Sequence, residues 1–366
     1  MRLWTVESGF ESLLPSQIGP PELAMRAMLL HEHGPIAERP LHLVEIPDPV
    51  PAEREILVRV AACAACRTDL HVIRGEIPLR RLPIVPGHQI VGRVEKLGPG
   101  CVRFRPGDRV GIAWLRETCG TCEPCREGSE NLCGRSRYTG YDADGGYAEK
   151  AVVREEFAYA IPHAFDDLHA APLLCAGIIG YRALRRSAVR EGGKLGLYGF
   201  GSSAHIVLQI ARARGCEVHV ATRGASHRDL ARSMGASWVG NVLDSPPVLL
   251  DSAIVFAPVG DLVPVALRAV RRGGTVALAG IHMSPVPAMD YERHLFHEKS
   301  LTSVEASTRR DGEDLLREAT EIPIRPRITT FPLEQANDAL AALDGDRIDG
   351  TAVLLLDEEQ RLAGRT

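Results

Sequence analysis

The sequence predicts an α/β protein in two parts: a mostly β domain and a doubly wound parallel-sheet domain. Three observations predict it. The chain has 366 residues, more than one hydrophobic core ordinarily serves, so two domains are expected. Residues 40–155 hold short β-type runs broken by Gly and Pro, the pattern of a compact, mostly β unit. From about residue 178 to 305 strand-like and helix-like runs alternate, which implies βαβ units and a parallel sheet.

In the first half, EILVRV (55–60), IVGRVEKLG (90–98), DRVGIA (108–113) and YAEKAVV (147–153) read as strands. In the second, KLGLYGFG (194–201) is a strand and a glycine turn, and SAHIVLQIARARG (203–215) has apolar residues at helical spacing. EVHVA (217–221) is a strand and HRDLARSMGA (227–236) a helix. SAIVFA (252–257), the helical LVPVALRAVRRGG (262–274) and TVALAG (275–280) follow. The tail is strand RITTFP (327–332), helix LEQANDALAAL (333–343) and strand TAVLLL (351–356), and is expected to rejoin the first domain. Residues 1–24 read as a flexible extension, with patterned sequence starting at Met25.

Apolar residues make up 45% and charged residues 25%, ordinary for a soluble globular protein. A net charge of -4 argues against a nucleic-acid or anionic-membrane surface. No apolar run is long enough to span a bilayer, and the N-terminus lacks the apolar stretch of a secretory signal. A cytoplasmic protein is expected. Its nine cysteines then read better as metal ligands than as disulfides.

Gly199-Phe200-Gly201-Ser202-Ser203-Ala204 matches G-x-G-x-x-G/A between a strand and a helix, the setting of a dinucleotide-binding turn. Gly199 makes the tight turn, and Gly201 lets backbone approach a pyrophosphate at the positive helix N-terminus. Ala204 keeps helix and strand close. An acid at the end of the next strand would bond the adenine ribose and favour NAD. Thr222 and Arg223 stand there instead. A neutral Thr222 and a cation at Arg223, with Arg228 nearby, suit the 2′-phosphate of NADP(H).

The stretch CGTCEPCREGSENLC (119–133) places Cys119, Cys122, Cys125 and Cys133 in fifteen residues. Spacing alone leaves a disulfide knot, a redox pair or a metal site open. Elsewhere, ACRTDLHVIRG (65–75) gathers Cys66, Thr68, Asp69 and His71, PGHQIVG (86–92) supplies His88, and PLLCAGIIGYRAL (172–184) supplies Cys175. Two thiolates and one imidazole make a catalytic zinc set with a fourth position open.

These motifs, in this order, resemble those of the zinc-dependent medium-chain alcohol dehydrogenases, over nearly the whole chain from Met25. The resemblance implies a GroES-like β domain at 25–177 and 310–366 and a Rossmann domain at 178–309, with the active site between them. It implies two zinc ions per chain: a catalytic one on Cys66, His88 and Cys175, and a closed structural one on Cys119, Cys122, Cys125 and Cys133. It further implies that Thr68 hydrogen-bonds the substrate oxygen and relays its proton through the nicotinamide ribose to His71. Asp69 would orient His88, Arg67 would meet the cofactor pyrophosphate, and Trp114 would line the substrate pocket. The expected function is hydride transfer between a simple alcohol or aldehyde and NAD(P), NADP(H) favoured, in a homodimer or homotetramer.

Plainer readings stand beside these. Thr68 could cap a helix, His71 could be a surface histidine, and Trp114 could be core. The family pattern is broken at Gln89, where an acid is common, and at Thr351, where an arginine often meets the cofactor phosphate. A zinc-free quinone or enoyl reductase would not need Cys66, His88, Cys175 or the four-cysteine lobe. A non-catalytic zinc scaffold would not need Thr68 and His71. A polyol dehydrogenase tends to carry an acid in place of the second zinc cysteine.

Overall fold

The computed structural model describes residues 24–77 and 80–356. The expected extension therefore lies, Ala24 apart, outside the described residues, as does the tail beyond 356. The fold class is the expected α/β one.

The mostly β part is a seven-stranded sheet. Strands Ile328–Pro332, Thr351–Leu355, Glu55–Ala65, Gln89–Leu97, Arg109–Ile112 and Ala158–Ala160 lie in that order, and Lys150–Arg154 also pairs with Glu55–Ala65. The long strand Glu55–Ala65 can serve two partners on one side because they take opposite ends of it. Residues 55–59 pair with 150–154, and residues 62–65 pair with 352–355. All of 55–65 except Glu55 and Arg59 is buried, so this strand reads as a continuous apolar run. A small two-stranded sheet, Ala24–Leu30 with Leu41–Pro47, flanks it; nothing in the sequence pattern marked it out.

The second sheet has six parallel strands. In space they run Trp238–Gly240, Glu217–Ala221, Lys194–Tyr198, Leu250–Val255, Val270–Leu278 and Ser300–Ser303. Numbered along the chain, that order is 3-2-1-4-5-6, the doubly wound arrangement whose ligand crevice lies where strand order reverses. The crevice is therefore at the ends of Lys194–Tyr198 and Leu250–Val255. Strands such as LGLY and AIV are buried on both faces, as helices covering both sides of a parallel sheet require.

One expectation fails in detail. The helix expected over 262–274 ends at Ala269, and Val270 already begins a strand. Val270 pairs with Leu250 across an irregular register. The buried Val270 pairs better than it caps, so tertiary pairing overrides helical periodicity.

The two sheets share a core. Helix Ala176–Ser187 packs beside helix Ser202–Ala213, so closely that a Cβ on Gly180 would lie 2.7 Å from Val207 Cγ2. One apolar cluster runs from Ala62, Ala64 and Val91 through Leu174, Ile178 and Leu184 to Leu197 and Val220. Among the described residues no helix is long and apolar enough to cross a membrane.

Candidate active site

Sheet register assembles the centre. Cys66 directly follows strand Glu55–Ala65 and caps helix Arg67–Arg74. His88 directly precedes strand Gln89–Leu97. Ala64 pairs with Gln89 in the antiparallel ladder, so both side chains emerge at one end of the sheet. Cys175 arrives separately, as the residue opening helix Ala176–Ser187. The ligand atoms of Cys66, His88 and Cys175 lie within 4.8 Å of one another, with Cys66 Sγ 3.4 Å from His88 Nε2. Donors held at about 2.0–2.3 Å by one tetrahedral ion sit within roughly 4 Å of each other, so the set fits zinc.

Asp69 stands behind this set. Its Oδ1 lies 3.1 Å from His88 Nδ1, a contact between an acid and an imidazole that are both out of water. Its Oδ2 accepts the backbone N–H of Cys66 at 2.8 Å. Both Asp69 and His88 are buried. With Nδ1 toward Asp69, Nε2 is left for the metal. Burial works against charge on His88, but Asp69 and Cys66 outweigh it and push its pKa up to about 10. The hydrogen bond from Cys175, together with His88 and Thr68, holds the Cys66 thiol well below its ordinary value, while the same bond and burial raise Cys175. The pocket thus favours a thiolate at Cys66.

Gly87, next to His88, has φ +94, and a Cβ there would lie 2.4 Å from the ring of the fully buried Tyr147. Only glycine allows that turn and that ring together.

The structure places the other expected residues as follows. Thr68 is buried in the first turn of its helix and is not its cap, which is Cys66. His71 lies one turn on, on the same helix face. Its Nδ1 contacts Glu76 Oε2 closely, and its ring stands 5.4 Å from that of His282, in the loop after strand Val270–Leu278. Neither Glu76 nor His282 was legible beforehand. Arg67 is half exposed, 3.6 Å from Asp346. The Trp114 ring meets His88 edge-on at 4.9 Å and stacks on Tyr138 at 4.9 Å, with Tyr141 at 5.7 Å. Trp114 thus stands beside His88, backed by Tyr138 and Tyr141. The R-Y-T-G-Y run after the lobe was the available signal for the other two.

Cys119, Cys122, Cys125 and Cys133 also bring their sulfurs within 4.8 Å of one another. The backbone N–H of Cys122 points at Cys119 Sγ (3.3 Å), and that of Arg135 at Cys133 Sγ (3.4 Å). Such donors favour thiolates, and those of Thr121 and Cys122 push the Cys119 thiol down to about 5. Four sulfurs close a tetrahedron, the pattern of a structural zinc.

In the nucleotide sheet, Gly199 has φ +90, and a Cβ there would press on Ala257 of the neighbouring strand end. A Cβ on Gly201 would meet nothing within 4 Å, leaving open space at the N-terminus of helix Ser202–Ala213, where a pyrophosphate fits. Ala204 is fully buried. Thr222 is buried at the next strand end. Arg228 bonds back to the carbonyls of Thr222 and Arg223 at 3.2 and 2.5 Å, and Arg223 is exposed.

At the two departures, the fully buried Gln89 donates from Nε2 to Ala64 O at 3.1 Å. Thr351 is buried and its hydroxyl bonds that of Ser202.

Comparison with known proteins agrees with this geometry. A family model described as "Alcohol dehydrogenase GroES-like domain" matches residues 52–163, and one described as "Zinc-binding dehydrogenase" matches residues 203–321. The chain is 51% identical to a Mycobacterium tuberculosis protein named "Probable alcohol dehydrogenase AdhA", over 91% of this chain and 97% of that one. It is 34% identical to an alcohol dehydrogenase of Geobacillus stearothermophilus, over 92% and 100% of the two chains. A cinnamyl alcohol dehydrogenase structure from Sorghum bicolor superposes with a TM-score of 0.83 at 25% identity, covering 91% and 98%. A cobalt- and zinc-bound thermostable alcohol dehydrogenase from Pyrobaculum aerophilum does so with 0.82 at 26% identity, covering 91% and 100%. With its ligand sets, its glycine turn and both sheets in place, the chain belongs to the zinc-type medium-chain alcohol dehydrogenases, a family of NAD(P)-dependent oxidoreductases.

Proposed function

We propose that this enzyme interconverts simple alcohols and aldehydes with NADP(H) preferred over NAD(H), at a centre formed by Cys66, His88 and Cys175. The observation that carries the reading is the convergence of those three donors at one sheet end, beside Trp114 and Thr68. Zinc on them would supply Lewis-acid polarisation of the substrate oxygen, and the nicotinamide would supply the hydride carrier. A second zinc belongs to the closed four-cysteine lobe. Thr68 orients the substrate oxygen and takes or gives its proton, and His71, held by Glu76, exchanges that proton with solvent. Asp69 fixes the ring of His88. Trp114 shapes one wall for the substrate.

Gly199, Gly201 and Ala204 form the phosphate turn, with Arg67 facing the pyrophosphate. Preference for NADP(H) rests on the strand end at Thr222. Residues 222–228 hold Arg223 and Arg228 and no acid, so a 2′-phosphate finds cations and no repulsion. We place the domain limits at 25–177 with 310–366 and at 178–309. The exposed edge strand Ser300–Ser303 is the surface we assign to a homodimer or homotetramer, in the cytoplasm.

The test is consumption of reduced cofactor with a panel of short aldehydes, NADPH and NADH in parallel, on zinc-loaded protein. Faster turnover with NADPH is expected. Faster turnover with NADH keeps the enzyme class and makes Arg223 a surface charge. No turnover with either, in protein holding both zincs, removes the simple-alcohol reading.

A further inference from the structure

One face of the helix behind the phosphate turn is polar and buried against the other sheet. His205, directly after Ala204, is fully buried. Burial pushes its pKa down to about 4, so it is neutral, with one N–H and one lone pair. Its Nε2 accepts the backbone N–H of Arg327 at 3.2 Å. The proton therefore sits on Nδ1, which faces Gly201 O at 3.3 Å. The same carbonyl accepts the backbone N–H of His205 at 3.1 Å. One turn on, Gln209 Oε1 accepts the N–H of Arg325 at 2.9 Å, and its Nε2 donates to Arg325 O at 3.4 Å. Ser202 bonds Thr351. Ser202, His205 and Gln209 stand at i, i+3 and i+7, one stripe of the helix.

The segment they hold belongs to the seven-stranded sheet. Thr351 N–H bonds Arg327 O at 2.9 Å, Ile328 pairs with Thr351, and Ala352 pairs with Ala65, the neighbour of Cys66. Neutral hydrogen bonds thus join the glycine turn to the sheet end that carries Cys66.

The geometry of the Gly201–Ser202 peptide shows what this does. A trans peptide points its C=O and N–H in opposite directions. Two donors from His205 draw the Gly201 carbonyl into the helix, so the Ser202 N–H is turned outward, into the open space at Gly201.

We propose that His205 is a positioning residue for the cofactor. It fixes the phosphate turn so that its N–H groups face the pyrophosphate, and it sets the turn's height above the sheet end bearing Cys66. The proposal rests on the reading of the turn as the pyrophosphate site.

The test is the Kd of NADPH by fluorescence titration at neutral pH, with zinc content and thermal midpoint measured alongside, for the full chain and for His205→Leu and His205→Gln. The parent protein must first bind NADPH; if it binds neither NADPH nor NADH, the pyrophosphate reading falls and this inference with it. Given binding, His205→Leu is expected to raise Kd about tenfold through loss of both contacts. His205→Gln keeps an acceptor for Arg327 and is expected to recover most of the loss, with zinc content the same in all three. Folded, zinc-loaded His205→Leu with the parent Kd and only a lower thermal midpoint would make His205 a purely structural residue and overturn the proposal. Should His205→Leu not be recovered folded, His205→Asn, which lacks reach to Arg327, is read the same way: a raised Kd supports the proposal and the parent Kd overturns it.

Discussion

The Asp69 carboxylate is divided between His88 Nδ1, 3.1 Å from one oxygen, and the backbone N–H of Cys66, 2.8 Å from the other. One buried acid thus touches two of the three donors of the proposed catalytic centre. Asp69→Asn keeps the shape and removes the charge that orients and neutralises His88. Loss of such an outer partner typically lowers metal affinity by about 10–100-fold. If zinc occupies both sites as proposed, a chelator titration of Asp69→Asn should therefore strip the ion on Cys66, His88 and Cys175 early and leave that of the four-cysteine lobe in place. Simultaneous release of both metals would mean that the substitution acts on the whole fold.

The four-cysteine lobe reaches residues 305–309 through Glu130 and Asn131, which lie between its last two cysteines. The buried Glu130 accepts from the backbone N–H and the Nε of Arg309, at 3.0 and 3.3 Å. Asn131 donates to Glu305 O at 2.8 Å. Glu130→Ala leaves a backbone donor unpaired, a loss of about 1–3 kcal/mol. Urea unfolding should show that loss, and hydrogen exchange should accelerate at residues 305–311 with lobe zinc retained. Unchanged exchange there would show that the lobe does not anchor this segment.

The sequence made some of this legible and hid the rest for physical reasons. Residue type and local spacing brought Cys119 to Cys133 and the G-x-G-x-x-A turn to notice, and the choice of a metal for the four cysteines came from the resemblance, not from spacing. Contacts made by sheet register gave no such signal. That Thr351 bonds Ser202 follows from the pairing of Ala352 with Ala65 and from how the two sheets meet. Glu76 and His282 approach His71 from the turn after its own helix and from the loop after strand Val270–Leu278, and neither lies in a motif. The end of helix Leu262–Ala269 was misplaced because Leu262, Val263, Ala266, Leu267 and Val270 keep helical spacing while Val270 is taken by strand pairing. Thr68 was open to reading as a cap because capping depends on where the preceding strand stops, which is at Ala65.

Gln89 explains why an amide suits its position. Its Nε2 donates to Ala64 O in a fully buried setting. Gln89→Glu would point a carboxylate at that carbonyl. Burial and the facing oxygen raise the folded pKa of such a group above its unfolded value. The stability it retains is then present at low pH and lost as pH rises through the folded pKa. Unfolding of Gln89→Glu should show a deficit of roughly 1–3 kcal/mol that is larger at pH 8 than at pH 5.5. An equal deficit at both would show that the carboxylate has found another partner.

His205 supplies the clearest acid dependence in the fold. Its folded pKa of about 4 lies below the ordinary 6.5. Between those values the unfolded chain binds a proton that the folded chain refuses, so stability falls as pH falls. The contribution is fully present above pH 6.5 and is lost as pH drops through about 4. A gap of this size is worth roughly 3 kcal/mol, since each unit is about 1.4 kcal/mol. Protonation would also deprive the Arg327 N–H of its acceptor. His205→Gln removes the titration and keeps the acceptor. Urea midpoints measured at pH 7, 5.5 and 4.5 should therefore fall more steeply for the parent than for His205→Gln. Parallel falls would mean that the acid sensitivity of the protein lies in other groups and that His205 accepts its proton without leaving its place against Gly201.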